Sequence, residues 1–361
     1  MLDFFSYPFM SASTMSSSIP ALGPVMIDLE GLEISEADRR RLLHPHTGGV
    51  ILFARNFESR AQLISLTSAI RELRPELIIA VDHEGGRVQR FRADGFTSIP
   101  PMRRIGKLWD RDESPSKLEA VRAASAVGYV LASELRACGV DLSFAPVLDL
   151  DYGHSEVIGD RAFHDDPRTV TLLAQALTHG MSLAGMANCG KHFPGHGWAE
   201  ADSHLDLPTD ERTLDEILDS DAAPYGWFGI GLAAVMPAHV VYPAVDELPA
   251  GFSATWLQKV LRQRLGFLGV IISDDLNMEG ARVAGDLVAS AHAALRAGCD
   301  MLLACNKPDR LDRLLDGLDH TMSAASLGRI STLKPTAAIP DWETLRASDR
   351  YAAAFKILKS L

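Results

Sequence analysis

From Gly23 onward, short apolar runs rich in β-branched residues alternate with longer stretches whose apolar residues recur every three to four positions. That alternation predicts repeated strand–helix units built on a parallel sheet. The runs that read as strands are Val25–Leu29, Gly49–Phe53, Leu77–Asp82, Asp141–Leu148, Met186–His192, Ala233–Val241, Val270–Asp274 and Asp300–Cys305. Eight such units are what a closed barrel requires. Helical periodicity marks Ser59–Leu73, Ser116–Ala137, Pro167–Leu183, Ala254–Leu265, Val283–Ala297 and Pro308–Leu318. Ser35 and Asp166 are suited to cap helix starts, and Gly139, Gly185, Gly266 and Gly298 to end helices. The expected fold is α/β, a single-domain (β/α)8 TIM barrel over residues 23–340, with a flexible leader over 1–22 and a closing helix packed on the barrel over 341–361.

The polar residues are distributed unevenly over these units. Asp82, Asp149, Lys191, His192, His239 and Asp274 all fall at or just past the C-terminal end of a predicted strand. In such a barrel that end carries the active site, because the βα loops converge there above a packed core. One stretch stands out, KHFPGHGWAEADSHLDL over Lys191–Leu207, too rich in His, Asp and Gly to fill a core. Its glycines permit close backbone approach and Pro194 stiffens the exit from the strand, so it reads as a loop built to hold polar groups in place.

Composition narrows the function classes. The 361 residues, 47% hydrophobic and 23% charged, contain no Pro/Gly/Ser-rich linker in their middle, which favours one large barrel over two domains. A formal net charge of −12 argues against a nucleic-acid or anionic-membrane partner. Cys138, Cys189, Cys299 and Cys305 lack CxxC spacing and read as reduced core thiols, and no apolar stretch reaches the length of a membrane span. A cytoplasmic monomer acting on a small molecule is the expectation. Met1 and Met15 are both candidate starts.

Candidate chemistry begins with Asp274, which the apolar run Val270–Ile272 presents rigidly at the barrel mouth. A carboxylate so placed can attack a sugar's anomeric carbon and form a glycosyl ester. Its neighbour Asp275 points the other way on the pleat and suits a cap of the following segment. The leaving oxygen needs a proton. In Asp202-Ser203-His204, the Asp can fix the imidazole tautomer and raise its basicity, making His204 the acid/base and Asp202 its orienter. Asp82, Arg90, Arg161, Lys191 and His192 are candidates to hold sugar hydroxyls. The glycines after Asp82 lack both P-loop and dinucleotide spacing. Two rivals stay open at this level: a metal-dependent barrel hydrolase using His192, His196, Asp202 and His204, and a non-catalytic sugar-binding barrel. The helical zinc spacing H-E-x-x-H is missing, so no metal and no cofactor are expected.

The segments VDHEGGRVQRF, GDRAF, KHFPGHG followed by DSH, and IISDDLNMEG, in that order, resemble the bacterial β-N-acetylglucosaminidases of glycoside hydrolase family 3, the single-domain cytoplasmic kind that serves cell-wall recycling. The likeness runs from about Gly23 to beyond Cys305, and KHFPGHG-x4-DSH is its specific part. The resemblance implies a (β/α)8 barrel, a retaining mechanism without metal, and removal of non-reducing-end β-linked N-acetylglucosamine from 1,6-anhydro-muropeptides. It makes Asp274 the nucleophile, His204 the acid/base and Asp202 its partner, with Asp82, Arg90, Arg161, Lys191 and His192 as sugar contacts. His83 departs from the family's frequent Gln beside the Asp. Trp198 falls in a variable part of the loop, a candidate to stack on the aglycone.

Overall fold

The computed structural model describes residues 22–112, 115–199, 208–278, 280–281, 285–338 and 340–361. The strands β1 (Val25–Asp28), β2 (Thr47–Leu52), β3 (Ile78–Val81), β4 (Leu142–Ser143), β5 (Cys189–Phe193), β6 (Ala234–Pro237), β7 (Val270–Asp275) and β8 (Met301–Ala304) form one eight-stranded parallel sheet in which sequence neighbours are also spatial neighbours. β1 pairs with both β2 and β8, so the first and last strands meet. Between β4 and β5 the ring is completed by single bridges, Leu142 to Ala187 and Val147 to Lys191. The fold is the expected (β/α)8 barrel.

Period-two alternation explains why these runs close on themselves. Met26, Ile78, Ala80, Val270, Ile272, Met301 and Leu303 pack into one cluster that fills the barrel. Their neighbours Val25, Ile27, Ile79, Val81, Ile271, Leu302 and Ala304 belong to the outer cluster, against the helices. Both faces are therefore apolar, as a parallel sheet covered by helices demands. Ile330 and Leu333, from and just past the helix Ala324–Ser331, join the inner cluster.

Two expected strands are shorter than their apolar runs. Asp141–Leu148 contributes only Leu142–Ser143, because Pro146 has no N–H to offer and pairing resumes as a lone bridge at Val147. Ala233–Val241 ends at Pro237, and Val241–Tyr242 leaves to pair with Asp246–Pro249 in a separate antiparallel ribbon.

Most of the predicted helices are found nearly where expected: Arg60–Leu73 capped by Ser59, Ser116–Ala137, Pro167–Leu183 capped by Asp166, and Pro308–Gly317. Thr255–Arg264 is wound with π-type hydrogen bonds. The helix expected from Val283 runs over Leu287–Ala297, and Val283 itself lies outside the described residues. Helices 116–137 and 167–183 touch backbone to backbone, since a Cβ on Gly128 or Gly180 would stand 2.0 Å from the Leu177 or Ser125 carbonyl oxygen. The tail divides into two helices, Trp342–Ala347 and Asp349–Lys359, because Ser348 takes an extended conformation and caps the second. Tyr351 anchors it to the buried Glu134 of helix 116–137. The expected leader, save its last residue, lies outside the described residues. Among those described, no helix is long and apolar enough to cross a membrane, and the four cysteines are buried and unpaired.

Candidate active site

β3 ends at Val81, delivers Asp82, and turns at once into a hairpin, His83–Gly85 against Val88–Gln89. Gly85 and Gly86 make the reversal at φ +106° and +54°, where L side chains are strained. The turn places Glu84 within reach of two cations. Arg161 grips its carboxylate with Nε at 2.9 Å and Nη2 at 2.8 Å, and Lys191 Nζ approaches at 2.6 Å. Lys191 also donates to Asp82 at 2.8 Å, and Arg90 Nη2 reaches the other Asp82 oxygen at 3.4 Å. Burial pushes the Glu84 carboxyl up, but Arg161 and Lys191 outweigh it and hold the group well below the usual carboxylate range. Lys191 is pushed down by burial and more than restored by Asp82 and Glu84, so it stays cationic.

β5 carries Lys191 and His192 side by side. The buried Asp149 takes the His192 ring Nδ1 at 2.7 Å and the His196 backbone N–H at 2.7 Å. Burial raises the Asp149 carboxyl, but His192, His196 and these hydrogen bonds bring it below its ordinary value. His196 is buried with neither ring nitrogen partnered among the described residues, and burial followed by the neighbouring His192 lowers its basicity, which keeps it neutral at physiological pH.

β7 presents Asp274. Its Oδ1 accepts from the Asp275 backbone N–H at 2.8 Å, and this is the carboxylate's hydrogen bond among the described residues. Burial pushes the carboxyl up, while His239, His192, the Asp275 amide and Lys191 together bring it below the ordinary value, so it is ionised at neutral pH. Asp275 is pinned on all sides: its side chain accepts from the backbone N–H groups of Asn277 (3.0 Å) and Cys305 (3.1 Å), and its carbonyl accepts from His239 Nε2 at 3.2 Å. Burial pushes its own carboxyl up to about 7.

These groups converge on a cavity of about 220 Å³ whose wall includes Asp82, Arg90, Arg161, Lys191, His192 and Asp274, the nucleophile and sugar-contact candidates that the structure describes; Trp198 is not part of this wall. Glu84 and His196 line it as well, with Val157, Met236 and Leu303 as apolar patches. A second cavity of about 510 Å³ shares Asp82, Arg90 and Asp274 and extends over the end of β8 towards Lys307 and Arg310. Of the three carboxylates on the smaller cavity, Asp82 and Glu84 are committed to cations, and Asp274 is the one with no cation bonded to it among the described residues. An ionised carboxylate held by a rigid strand, without an ion-pair partner, is equipped to be a nucleophile.

Asp202 and His204 lie outside the described residues. The segment after them is fixed by Val241, which donates to the Pro208 carbonyl and accepts from the Asp210 N–H, both at 2.9 Å. Sequence reasoning had no role for Glu84, left Asp149 as one strand-end carboxylate among several, and used His196 only in the metal alternative. Among the described residues no group of three or more His, Cys, Asp or Glu is arranged to hold a metal ion. The position of Asp149 at a strand end was the available signal; the pairing of Glu84 with residues 77 and 107 positions away had none.

The family model for the glycosyl hydrolase family 3 N-terminal domain matches residues 17–333. A β-hexosaminidase of Bordetella parapertussis is 59% identical over 350 residues, covering 96% of this chain and 98% of that protein. The crystal structure of NagZ from Neisseria gonorrhoeae, in complex with N-trifluoroacetyl-D-glucosamine, superposes with a TM-score of 0.88 at 49% identity, covering 95% of this chain and 99% of the other. A family 3 β-N-acetylglucosaminidase from Paenibacillus is 30% identical with a TM-score of 0.80, covering 92% of this chain and 66% of that one.

Proposed function

This chain belongs to glycosyl hydrolase family 3 and is a glycoside hydrolase of the β-hexosaminidase kind, and on that premise we propose that it removes single non-reducing-end β-linked N-acetylglucosamine residues from 1,6-anhydro-muropeptides, with retention of configuration. The observation that carries this reading is the smaller cavity, where five hydrogen-bonding side chains and one ionised carboxylate, with no cation partner among the described residues, face a space closed enough for one sugar ring. The substituted glucosamine bound by the Neisseria relative supports the same ligand class.

In the proposed mechanism Asp274 attacks the anomeric carbon while His204, oriented by Asp202, protonates the departing glycosidic oxygen. A glycosyl ester on Asp274 results. Water then attacks the same carbon with His204 as base, releasing the sugar and the carboxylate. Asp82, Arg90, Arg161, Lys191 and His192 take ring hydroxyls, and the Glu84 bridge keeps Arg161 and Lys191 at fixed separation. Against the burial that opposes it, His239 and His192, and after them Lys191, favour the ionised form of Asp274 in the resting enzyme. Four buried free thiols and the acidic charge accord with a cytoplasmic protein that works as a monomer. No step calls for a metal, and full activity after exhaustive chelation is the expected result.

The decisive experiment traps the intermediate with a slow fluorinated N-acetylglucosaminide and maps the labelled peptide. A single adduct on Asp274 is expected. An adduct elsewhere, or an inverted product without an adduct, would overturn the mechanism.

A further inference from the structure

Trp198 stands two residues past His196, which lines the sugar cavity, and six before His204. Its side chain is 41% exposed, yet it is not loose. The Arg212 guanidinium lies over the ring at 4.5 Å from its centroid, and Tyr152 and His154 meet it edge to face at 5.0 and 5.7 Å. The backbone is fixed too. His154 Nε2 lies 2.9 Å from the Trp198 carbonyl oxygen, and Gly197 packs so tightly that a Cβ there would stand 1.9 Å from the Leu150 carbonyl oxygen.

Arg212 has no freedom of its own. Its Nε and Nη2 donate to Asp210 at 3.0 and 2.6 Å, and Nη1 lies 2.8 Å from an Asp221 oxygen that also accepts from the Tyr152 hydroxyl at 2.8 Å. A buried ionic network thus immobilises one large aromatic ring while leaving a good part of it in water. Single exposed apolar side chains need no explanation, but a rigid one two residues along the chain from the wall of a polar cavity does.

The side on which it stands matters. In-line displacement places the departing oxygen across the anomeric carbon from Asp274 on β7. The segment growing from β5 carries both Trp198 and His204, the proposed donor to that oxygen. Resting on the reading above, we propose that Trp198 is the stacking platform of an aglycone subsite that takes a second sugar ring by its C–H face.

The test compares the wild-type protein with Trp198→Ala, Trp198→Leu and Trp198→Phe on two substrates. One is the β-fluoride of N-acetylglucosamine, whose leaving group has no ring, and the other is a β-1,4-linked disaccharide of N-acetylglucosamine. The ratio of kcat/KM for the disaccharide to that for the fluoride should fall about tenfold in the Ala and Leu variants and stay within about threefold in the Phe variant. An unchanged ratio in the Ala and Leu variants, or a fall as large in Phe as in Leu, overturns the platform. Should the wild-type protein turn over neither substrate, it is the proposed activity that fails, and the two failures are told apart.

Discussion

Asp149 receives the imidazole of His192 on one carboxylate oxygen, Nδ1 to Oδ2 at 2.7 Å, and the same carboxylate caps the turn that follows by accepting the His196 N–H. Committing Nδ1 to Asp149 fixes the ring's orientation and leaves Nε2 as the atom that can meet substrate. Asp149 thereby sets the geometry of a residue proposed to hold the sugar.

Removing that carboxylate should break a buried pair. Asp149→Ala is expected to lose about 3 kcal/mol of stability and at least about tenfold in kcat/KM, with Asp149→Asn less affected because its amide oxygen still accepts the backbone N–H groups. Denaturant midpoints and steady-state kinetics check this. A wild-type midpoint in Asp149→Ala would refute the structural half of the assignment.

Glu84 holds Arg161 and Lys191 together, so Glu84→Ala leaves two buried cations facing each other. We expect a loss of about 3–5 kcal/mol and a raised KM, with Glu84→Gln intermediate. A calorimetric melt of the three proteins decides it, and equal melting temperatures would count against the bridge.

The carboxyls predict opposite pH responses. Glu84 and Asp149 are held below their ordinary values, so they contribute stability that is present above about pH 4 and is lost as pH falls through their lower folded values. Asp275 runs the other way: with a folded value of about 7 against an ordinary 3.8, it keeps a proton that the unfolded chain has released, so its contribution declines as pH rises from 3.8 to about 7. Asp275→Asn keeps the oxygen that accepts from Asn277 and Cys305 but cannot ionise. Its melting temperature relative to wild type should therefore rise between pH 5 and pH 8, and a constant difference would contradict the shift.

The two proposed reacting groups have separable signatures. Asp274→Ala should lower turnover by at least about 10⁴-fold while N-acetylglucosamine still binds, which calorimetric titration would show. His204→Ala should cost about 10²- to 10⁴-fold on alkyl glycosides but little on a dinitrophenyl glycoside, whose leaving group needs no proton. Equal losses on both would remove His204 from the role of acid.

Much of this protein is legible in its residues alone. Period-two apolar runs separated by helical stretches determine a parallel barrel, because local pattern decides which face of each strand is buried. The same pattern places Asp82, Lys191, His192 and Asp274 at the strand ends, where loops converge. Pairing between distant segments is another matter. That Glu84 bridges Arg161 and Lys191, that Asp149 serves His192, and that Arg212 holds Trp198 depend on contacts across 77, 107, 43 and 14 positions, and no periodicity in a single chain encodes them. Ion pairing is decided by burial and by distances of a few ångströms, and these exist only once the strands have closed into a ring.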